Sequence, residues 1–229
     1  MLRAAPDRSS DGIARETLSV QVCAWLRAQI LNGDLKQGEH LNEQAISRQT
    51  GVSATPVREA LRMLRGQGLV ALGERRGARV IRPTEDEIRS CFSVRRTLEC
   101  LALREASATR LDRRDLDLLL RLAESTKGAG LTDPQAFFEA DDAFHQFFVS
   151  RANNSWLESF LATLKDFLII VRRPLYSNAK FDTTRLEHVR IARAFADGRF
   201  EAAERLLAKH IDRVCRDVLG EARRRGTPP

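Results

Sequence analysis

Three of the four histidines in this 229-residue chain fall where water is not expected. His145, His188 and His210 each share a helical stripe with large apolar residues. Those neighbours are Phe137, Phe144 and Phe148 for the first, Ile191 and Phe195 for the second, and Leu206, Leu207 and Val214 for the third. Asp141 precedes His145 by four residues, and that spacing puts two side chains on one helix face. One carboxylate and three imidazoles are a donor set for Zn²⁺, or for another borderline divalent ion such as Ni²⁺ or Mn²⁺. One ion per chain would leave one or two coordination positions for water or a ligand. Asp142, three residues before His145, is the rival carboxylate. Arg95 lies on the inward stripe formed by Ile88, Cys91, Leu98 and Ala102. A buried guanidinium requires an anionic partner. Glu99, at i+4, is one candidate; a small-molecule carboxylate held between Arg95 and the metal is the other. Arg96 is expected nearer the rim.

For these groups to meet, the segments carrying them must be helices of one bundle. Thr84-x-x-Glu87 is a capping-box pattern, and Asp112, Asp133-Pro134 and Asn153-Asn154-Ser155 read as further helix starts or turns. Helices are therefore predicted near residues 84–108, 112–127, 133–151, 155–174, 183–197 and 199–222. Short loops make antiparallel neighbours. His188 is ten residues before Gly198 and His210 twelve after it, so both stand roughly 15–18 Å from that turn at ~1.5 Å per residue. His145, nine residues before Asn154, stands roughly 13 Å from its own turn by the same rise. All three fall at mid-bundle depth.

The first third of the chain reads differently. Helices are predicted from about Ser19 to Asn32 and from Glu43 to Thr50, the latter with Ala45 and Ile46 inward. A third follows Ser53 as its cap and buries Val57, Ala60, Leu61 and Leu64. Two helices joined by Gly51-Val52-Ser53 form a helix-turn-helix, whose second helix presents its first residues to the major groove. Ser53 and Thr55 suit phosphate, and Arg58 and Arg62 can reach guanine edges. Two short apolar runs, 69–72 and 78–81, flank Gly73-Glu74-Arg75-Arg76-Gly77, a hairpin whose tip would serve as a wing. Residues 43–82 hold eight arginines against three glutamates, a compact basic footprint suited to nucleic acid.

Composition narrows the alternatives. Net charge is +7, with 43% hydrophobic and 30% charged residues, the profile of a soluble globular protein. The apolar run Phe167–Val171 is far short of the ~20 residues of a membrane span, and the N-terminus lacks the apolar stretch of a signal peptide. Cys23, Cys91, Cys100 and Cys215 show no C-x-x-C and are expected to be reduced thiols in a cytoplasmic protein. The rival reading is a metal-dependent enzyme built on the bundle with an accessory DNA module. Di-metal bundles use Glu-x-x-His pairs, which are missing here, as are H-E-x-x-H, G-x-S-x-G and the P-loop. No spare core carboxylate stands out as a general base.

The ordered residues Gly33-Asp34-Leu35, Gly38, Leu41-Asn42-Glu43, Gly51-Val52-Ser53, Thr55-Pro56-Val57-Arg58-Glu59-Ala60-Leu61, Gly68-Leu69-Val70 and Arg76-Gly77-Ala78 resemble the N-terminal domain of GntR-family transcription regulators. That resemblance covers about residues 18–82. It implies DNA contact by Ser53, Thr55, Arg58 and the wing glycine Gly77. Two positions where the family often carries arginine are Ala54 and Gln44. Gln44, Arg62, Arg75 and Arg76 complete the expected DNA-facing set, and the operator is expected to differ from those of better-known relatives. Arg95-x-x-Leu98-Glu99, Asp141-x-x-Phe144-His145, Glu187-His188 and His210 resemble the effector-binding domain of the fatty-acid-regulator-like branch, the FCD type, over about residues 85–220. This resemblance carries Asp141, His145, His188 and His210 over as metal ligands and Arg95 as an effector contact. Acyl-coenzyme-A sensors of that branch typically lack the metal residues.

The expected architecture is mainly α. A tail (1–16) precedes a winged helix-turn-helix (17–82), an all-α antiparallel bundle of about six helices (83–222) and a short tail (223–229). The expected function is a ligand-responsive regulator, repressing more readily than activating. Its expected partners are palindromic double-stranded operator DNA, a small carboxylate and a second copy of itself, with no membrane.

Overall fold

A computed structural model of the chain describes residues 17–73, 77–125, 134–173 and 178–226. The chain divides into two compact units, with the boundary between Val80 and Ile81.

In the first unit α1 (Leu18–Asn32), α2 (Glu43–Thr50) and α3 (Ala54–Gly66) surround a small core, with a sheet of β1 (His40–Leu41), β2 (Val70–Gly73) and β3 (Gly77–Val80). Leu26 on α1 and Val57, Ala60, Leu61 and Leu64 on α3 are sealed from water, as the 3–4 spacing of those apolar residues requires. Ile46 alone of α2 is buried. Ala45 is exposed, contrary to the sequence expectation, because so short a helix turns only one narrow face to α3. Asn42 caps α2 by accepting from the Ala45 amide, and Gly51 ends it at φ +73°, a conformation that favours glycine. The sheet order is β1-β3-β2, antiparallel throughout, with Val70 opposite Val80 and His40 opposite Arg79. The two-residue strand β1 carries too little periodicity to be read from sequence. It forms because β3 has a free edge.

The second unit contains six helices among the described residues: α4 (Glu85–Ala108), α5 (Arg113–Glu124), α6 (Pro134–Arg151), α7 (Ser155–Arg172), α8 (Asn178–Ala196) and α9 (Phe200–Arg224). The capping box at Thr84 and Glu87 is formed in both directions. A second box joins Asp112 and Asp115, and Asn154 accepts from the Leu157 amide to start α7. Helix α8 begins at Asn178, earlier than expected. The Asp182-Thr183-Thr184 run has the composition of a helix start but lies inside the helix, where tertiary packing overrides local preference. α4 packs on α9 and α6, and α8 on α9 and α5. Phe144, Phe148, Phe195, Ile191, Leu207 and Ile211 form the centre, all at most 1% exposed. Edge-to-face contacts link Phe144 to Phe148 and Phe148 to Phe195.

Thr84→Ala removes one side of the α4 capping box. The expected loss is about 1 kcal/mol of stability in the helical unit, read as a lower urea midpoint by far-ultraviolet circular dichroism.

Candidate metal centre and nucleic-acid interface

The bundle brings Asp141, His145, His188 and His210 together, with one ligating atom of each lying within 4.8 Å of the others. All four are buried. His188 Nε2 lies 3.4 Å from His210 Nε2 and 3.6 Å from Asp141 Oδ1; His145 Nε2 lies 4.0 Å from the same oxygen. Four donors about 2.1 Å from a common ion in a tetrahedron are roughly 3.4 Å apart. The observed spacings are a slightly relaxed version of that arrangement. Asp141 Oδ1 and His145 Nε2 are buried without a hydrogen-bond partner. Buried polar atoms are rarely left so, and two aimed into one cluster fit a cation. Asp142, the rival carboxylate, turns outward to Lys165 Nζ at 2.8 Å.

Each donor is held from behind. α6 supplies Asp141 and His145 from adjacent turns of one face, and Phe144 stacks on the His188 ring at 4.0 Å. Arg172, on α7, donates from Nη2 to Asp141 Oδ2 at 2.5 Å. Burial pushes the Asp141 carboxyl up, but the guanidinium of Arg172 and neighbouring positive charge outweigh it and hold the group well below the usual carboxylate range. Burial drives His188 and His210 well below the ordinary imidazole value, reinforced by like charge on neighbouring rings. The cluster is thus anionic at Asp141 and carries neutral rings at His188 and His210 at neutral pH, the protonation state that metal binding requires.

Glu99, foreseen as the i+4 partner of Arg95, also reaches His145, which sequence reasoning did not predict. Its Oε1 accepts from Arg95 Nε at 2.5 Å, and its Oε2 lies 2.6 Å from His145 Nδ1. That second approach is close but poorly aligned, so neither atom is satisfied as a hydrogen bond. The i+4 partner foreseen for Arg95 is therefore present, and one guanidinium nitrogen, Nη1, stays buried with no partner. Burial raises the Glu99 carboxyl, while Arg95 and His145 pull it below the usual range. Arg172 and Arg213 were not singled out, and Glu187 was quoted only beside His188, with no role of its own. The one available signal was physical: a carboxylate at a core position needs a counter-ion. Arg96 sits at the rim, 3.4 Å from Asp212 and half-exposed, as expected.

In the first unit Gln44, Ser53, Thr55, Arg58 and Arg62 are all exposed, on α2 and at the start of α3. Ser53 occupies the N-cap position of α3, yet its hydroxyl makes no capping bond. The third helical residue is Pro56, which has no N–H to donate. Arg58 Nε pairs with Glu43 Oε2 at 2.7 Å, and Arg62 Nη1 with Glu59 Oε1 at 2.5 Å. Gly77 has φ +65°, and a Cβ there would stand 2.8 Å from His40 Nε2. Arg75 and Arg76 lie outside the described residues.

Comparison with known proteins finds a family match for each of the two units. A family model of the FCD domain matches residues 90–213, and one described as "Bacterial regulatory proteins, gntR family" matches residues 18–80. The chain is 28% identical over 193 residues to the uncharacterized HTH-type transcriptional regulator YdhC of Bacillus subtilis, covering 83% of this chain and 86% of that protein. It is 30% identical over 153 residues to the gluconate operon transcriptional repressor of Bacillus licheniformis, covering 67% and 63%. A crystal structure of a GntR transcriptional regulator from Rhodococcus sp. RHA1 aligns with a TM-score of 0.73 at 27% identity, over 88% of this chain and 97% of that one.

The Arg95–Glu99 pair makes a test of the geometry. Glu99→Ala leaves a buried guanidinium uncompensated and is expected to lower stability by about 3–5 kcal/mol, whereas Arg95→Met with Glu99→Met recovers most of it. Urea unfolding of the three proteins without added metal measures both effects.

Proposed function

This chain belongs to the GntR family of bacterial regulatory proteins, and its helical unit is an FCD domain; on that footing we propose that it is a repressor that senses a small organic acid at a metal-bearing cluster. It is a DNA-binding transcription regulator and not an enzyme: one matching family model is of bacterial regulatory proteins, and the relatives named above are transcriptional regulators. The finer reading has four parts. The protein binds a palindromic operator as a homodimer in the cytoplasm. Asp141, His145, His188 and His210 hold one divalent ion, Zn²⁺ first, with Ni²⁺ and Mn²⁺ as alternatives. Arg95 takes the acid's carboxylate. Occupancy by the acid weakens operator binding. Among the described residues no helix is long and apolar enough to cross a membrane.

The observation that carries this reading is the set of buried polar atoms left without partners: Asp141 Oδ1 and His145 Nε2 in the cluster, and Nη1 of Arg95 beside it. A bound cation would supply a Lewis-acidic anchor for one carboxylate oxygen. The chain's own contribution is geometric. Arg172 keeps Asp141 ionised, burial keeps the rings of His188 and His210 neutral, and Glu99 orients the Arg95 guanidinium so that a second donor is left for the acid.

On DNA, the hydroxyls of Ser53 and Thr55 and the exposed amides that begin α3 meet phosphate. Arg58, Arg62 and Gln44 face base edges, and Gly77 lets the wing approach closely together with Arg75 and Arg76. Arg58 must leave Glu43 to do so. The pair is exposed and worth at most about 1 kcal/mol, so a bidentate contact to guanine outcompetes it. Two-fold symmetry of a dimer matches a palindrome. The acid acts only through a difference in affinity: it must bind the DNA-free form more tightly, and a coupling of about 1–3 kcal/mol is 5–150-fold in operator affinity.

Purified protein is expected to hold about one Zn²⁺ per chain by atomic-emission analysis, and His188→Ala far less. Free imidazole titrates near 6.5, and burial lowers His188 and His210 well below that, so these two rings stay available to zinc through pH 6.5 and their protonation should weaken zinc affinity only well below it. Protein that takes up neither zinc, nickel nor manganese at neutral pH overturns the metal reading.

Operator binding is then titrated against gluconate and a panel of mono-, di- and hydroxy-carboxylates, with Arg95→Lys in parallel. That variant keeps the charge opposite Glu99 but loses the fork. An acid that weakens wild-type binding and leaves the variant unaffected is the expected result. Arg58→Ala, as a control, should cost about 1–3 kcal/mol of operator affinity with the fold intact. An acid shown by calorimetry to bind, yet without effect on operator affinity in the wild type, sinks the sensor reading.

A further inference from the structure

The ring of His210 is gripped on the side facing away from the cluster. Its Nδ1 lies 2.7 Å from Glu187 Oε2, in hydrogen-bonding alignment. Glu187 is in turn held by Arg213, whose Nε and Nη2 both donate to it at 2.7–2.9 Å. Arg213 also donates to Thr184 Oγ1 at 3.0 Å and to Asp217 Oδ2 at 2.7 Å. The chain Arg213–Glu187–His210 is therefore closed: the described geometry leaves the carboxylate one role, that of accepting the Nδ1 proton of His210. That leaves the lone pair of His210 on Nε2, the atom 3.4 Å from His188 Nε2 at the cluster.

We propose that Glu187, backed by Arg213, is a positioning residue that presets His210 as a metal ligand by fixing its tautomer and ring angle. The proposal rests on reading the four-group cluster as a metal site. Its logic is general: a ligating histidine whose second nitrogen donates to a carboxylate is oriented in advance and made a better donor, and loss of the carboxylate typically lowers metal affinity 10–100-fold. The three rings differ in this respect. His145 has Glu99 nearby at 2.6 Å but unaligned, and His188 Nδ1 is buried with no partner. His210 is thus the ligand whose geometry is complete before any ion arrives, and His145 and His188 are the ones that adjust.

The test has two readouts. In the metal-free full-length protein, long-range proton–nitrogen spectra of the imidazoles report which ring nitrogen carries hydrogen, with His210 assigned by the signals lost in His210→Gln. The wild type is expected to show His210 protonated on Nδ1, and Glu187→Gln to shift it toward a mixture of tautomers. Zn²⁺ affinity, measured by competition with a chromophoric chelator, should be 10–100-fold weaker in Glu187→Gln and reduced to a smaller extent in Arg213→Lys. Glu158→Gln, an exposed carboxylate on α7, should match the wild type. A wild-type His210 carrying its proton on Nε2 overturns the proposal whether or not the variants fold. Folded Glu187→Gln that binds Zn²⁺ as tightly as wild type overturns it too, and leaves the metal reading standing. A wild type that takes up no Zn²⁺ overturns the metal reading, and this proposal with it.

Discussion

A carboxylate sealed from water has to be answered by positive charge or by donors, and Asp141 is where the helical unit meets that demand. At 1% exposure it has no solvent to fall back on. Arg172 answers one oxygen; the other faces His145 and His188. Much of the bundle's interior follows from this. α7 has to present a guanidinium inward near its C-terminal end. α8 and α9 have to cross close enough to bring two imidazoles within 3.4 Å. The phenylalanines around them exclude water, which strengthens the electrostatic interactions and keeps the buried rings of His188 and His210 neutral.

The arginine–carboxylate pairs beside the cluster are alike in composition and different in state. All three nitrogens of Arg213 are engaged, by Glu187, Thr184 and Asp217, so its relay to His210 is a fixed support. Arg95 has a partner in Glu99 and a nitrogen to spare. A saturated guanidinium stiffens, and an unsaturated buried one favours any anion that can reach it, since leaving a donor unmade is more costly than a single hydrogen bond is worth. Beside the cluster, then, one guanidinium has all its nitrogens engaged and another has a buried nitrogen with no partner.

The winged unit follows the opposite rule. The residues proposed to meet DNA are exposed, and the start of α3 has no side-chain cap, with Pro56 removing one of the two amides that Ser53 could accept from. An under-capped helix N-terminus with exposed hydroxyls and a long arginine held by a surface ion pair is a surface suited to phosphate and bases.

Periodicity alone was enough to place the helices of both units, because which residues face inward is written in the 3–4 spacing, and caps such as Thr84, Asp112 and Asn154 announce themselves by type. The same spacing put Asp141 and His145 on one face and set His188 and His210 at matching heights on either side of Gly198. It favoured Asp141 over Asp142 as the inward carboxylate, and the structure agrees, but spacing left both within reach of His145. That choice depends on Lys165 and Arg172, a helix away, each taking one of the two. Spacing could not place strand β1, start α8 at Asn178, or expose Ala45 beside a buried Ile46. The pairing of Glu99 with Arg95 was legible at i+4, but the approach of Glu99 to His145 and the roles of Glu187, Arg172 and Arg213 were not, since each involves an atom on another helix. Sequence by itself determines which face of an element is buried, because burial is a property of one segment against water. Which donor meets which acceptor is decided only in the tertiary structure, because a hydrogen bond needs two segments within about 3 Å, and spacing along one of them carries no record of the other.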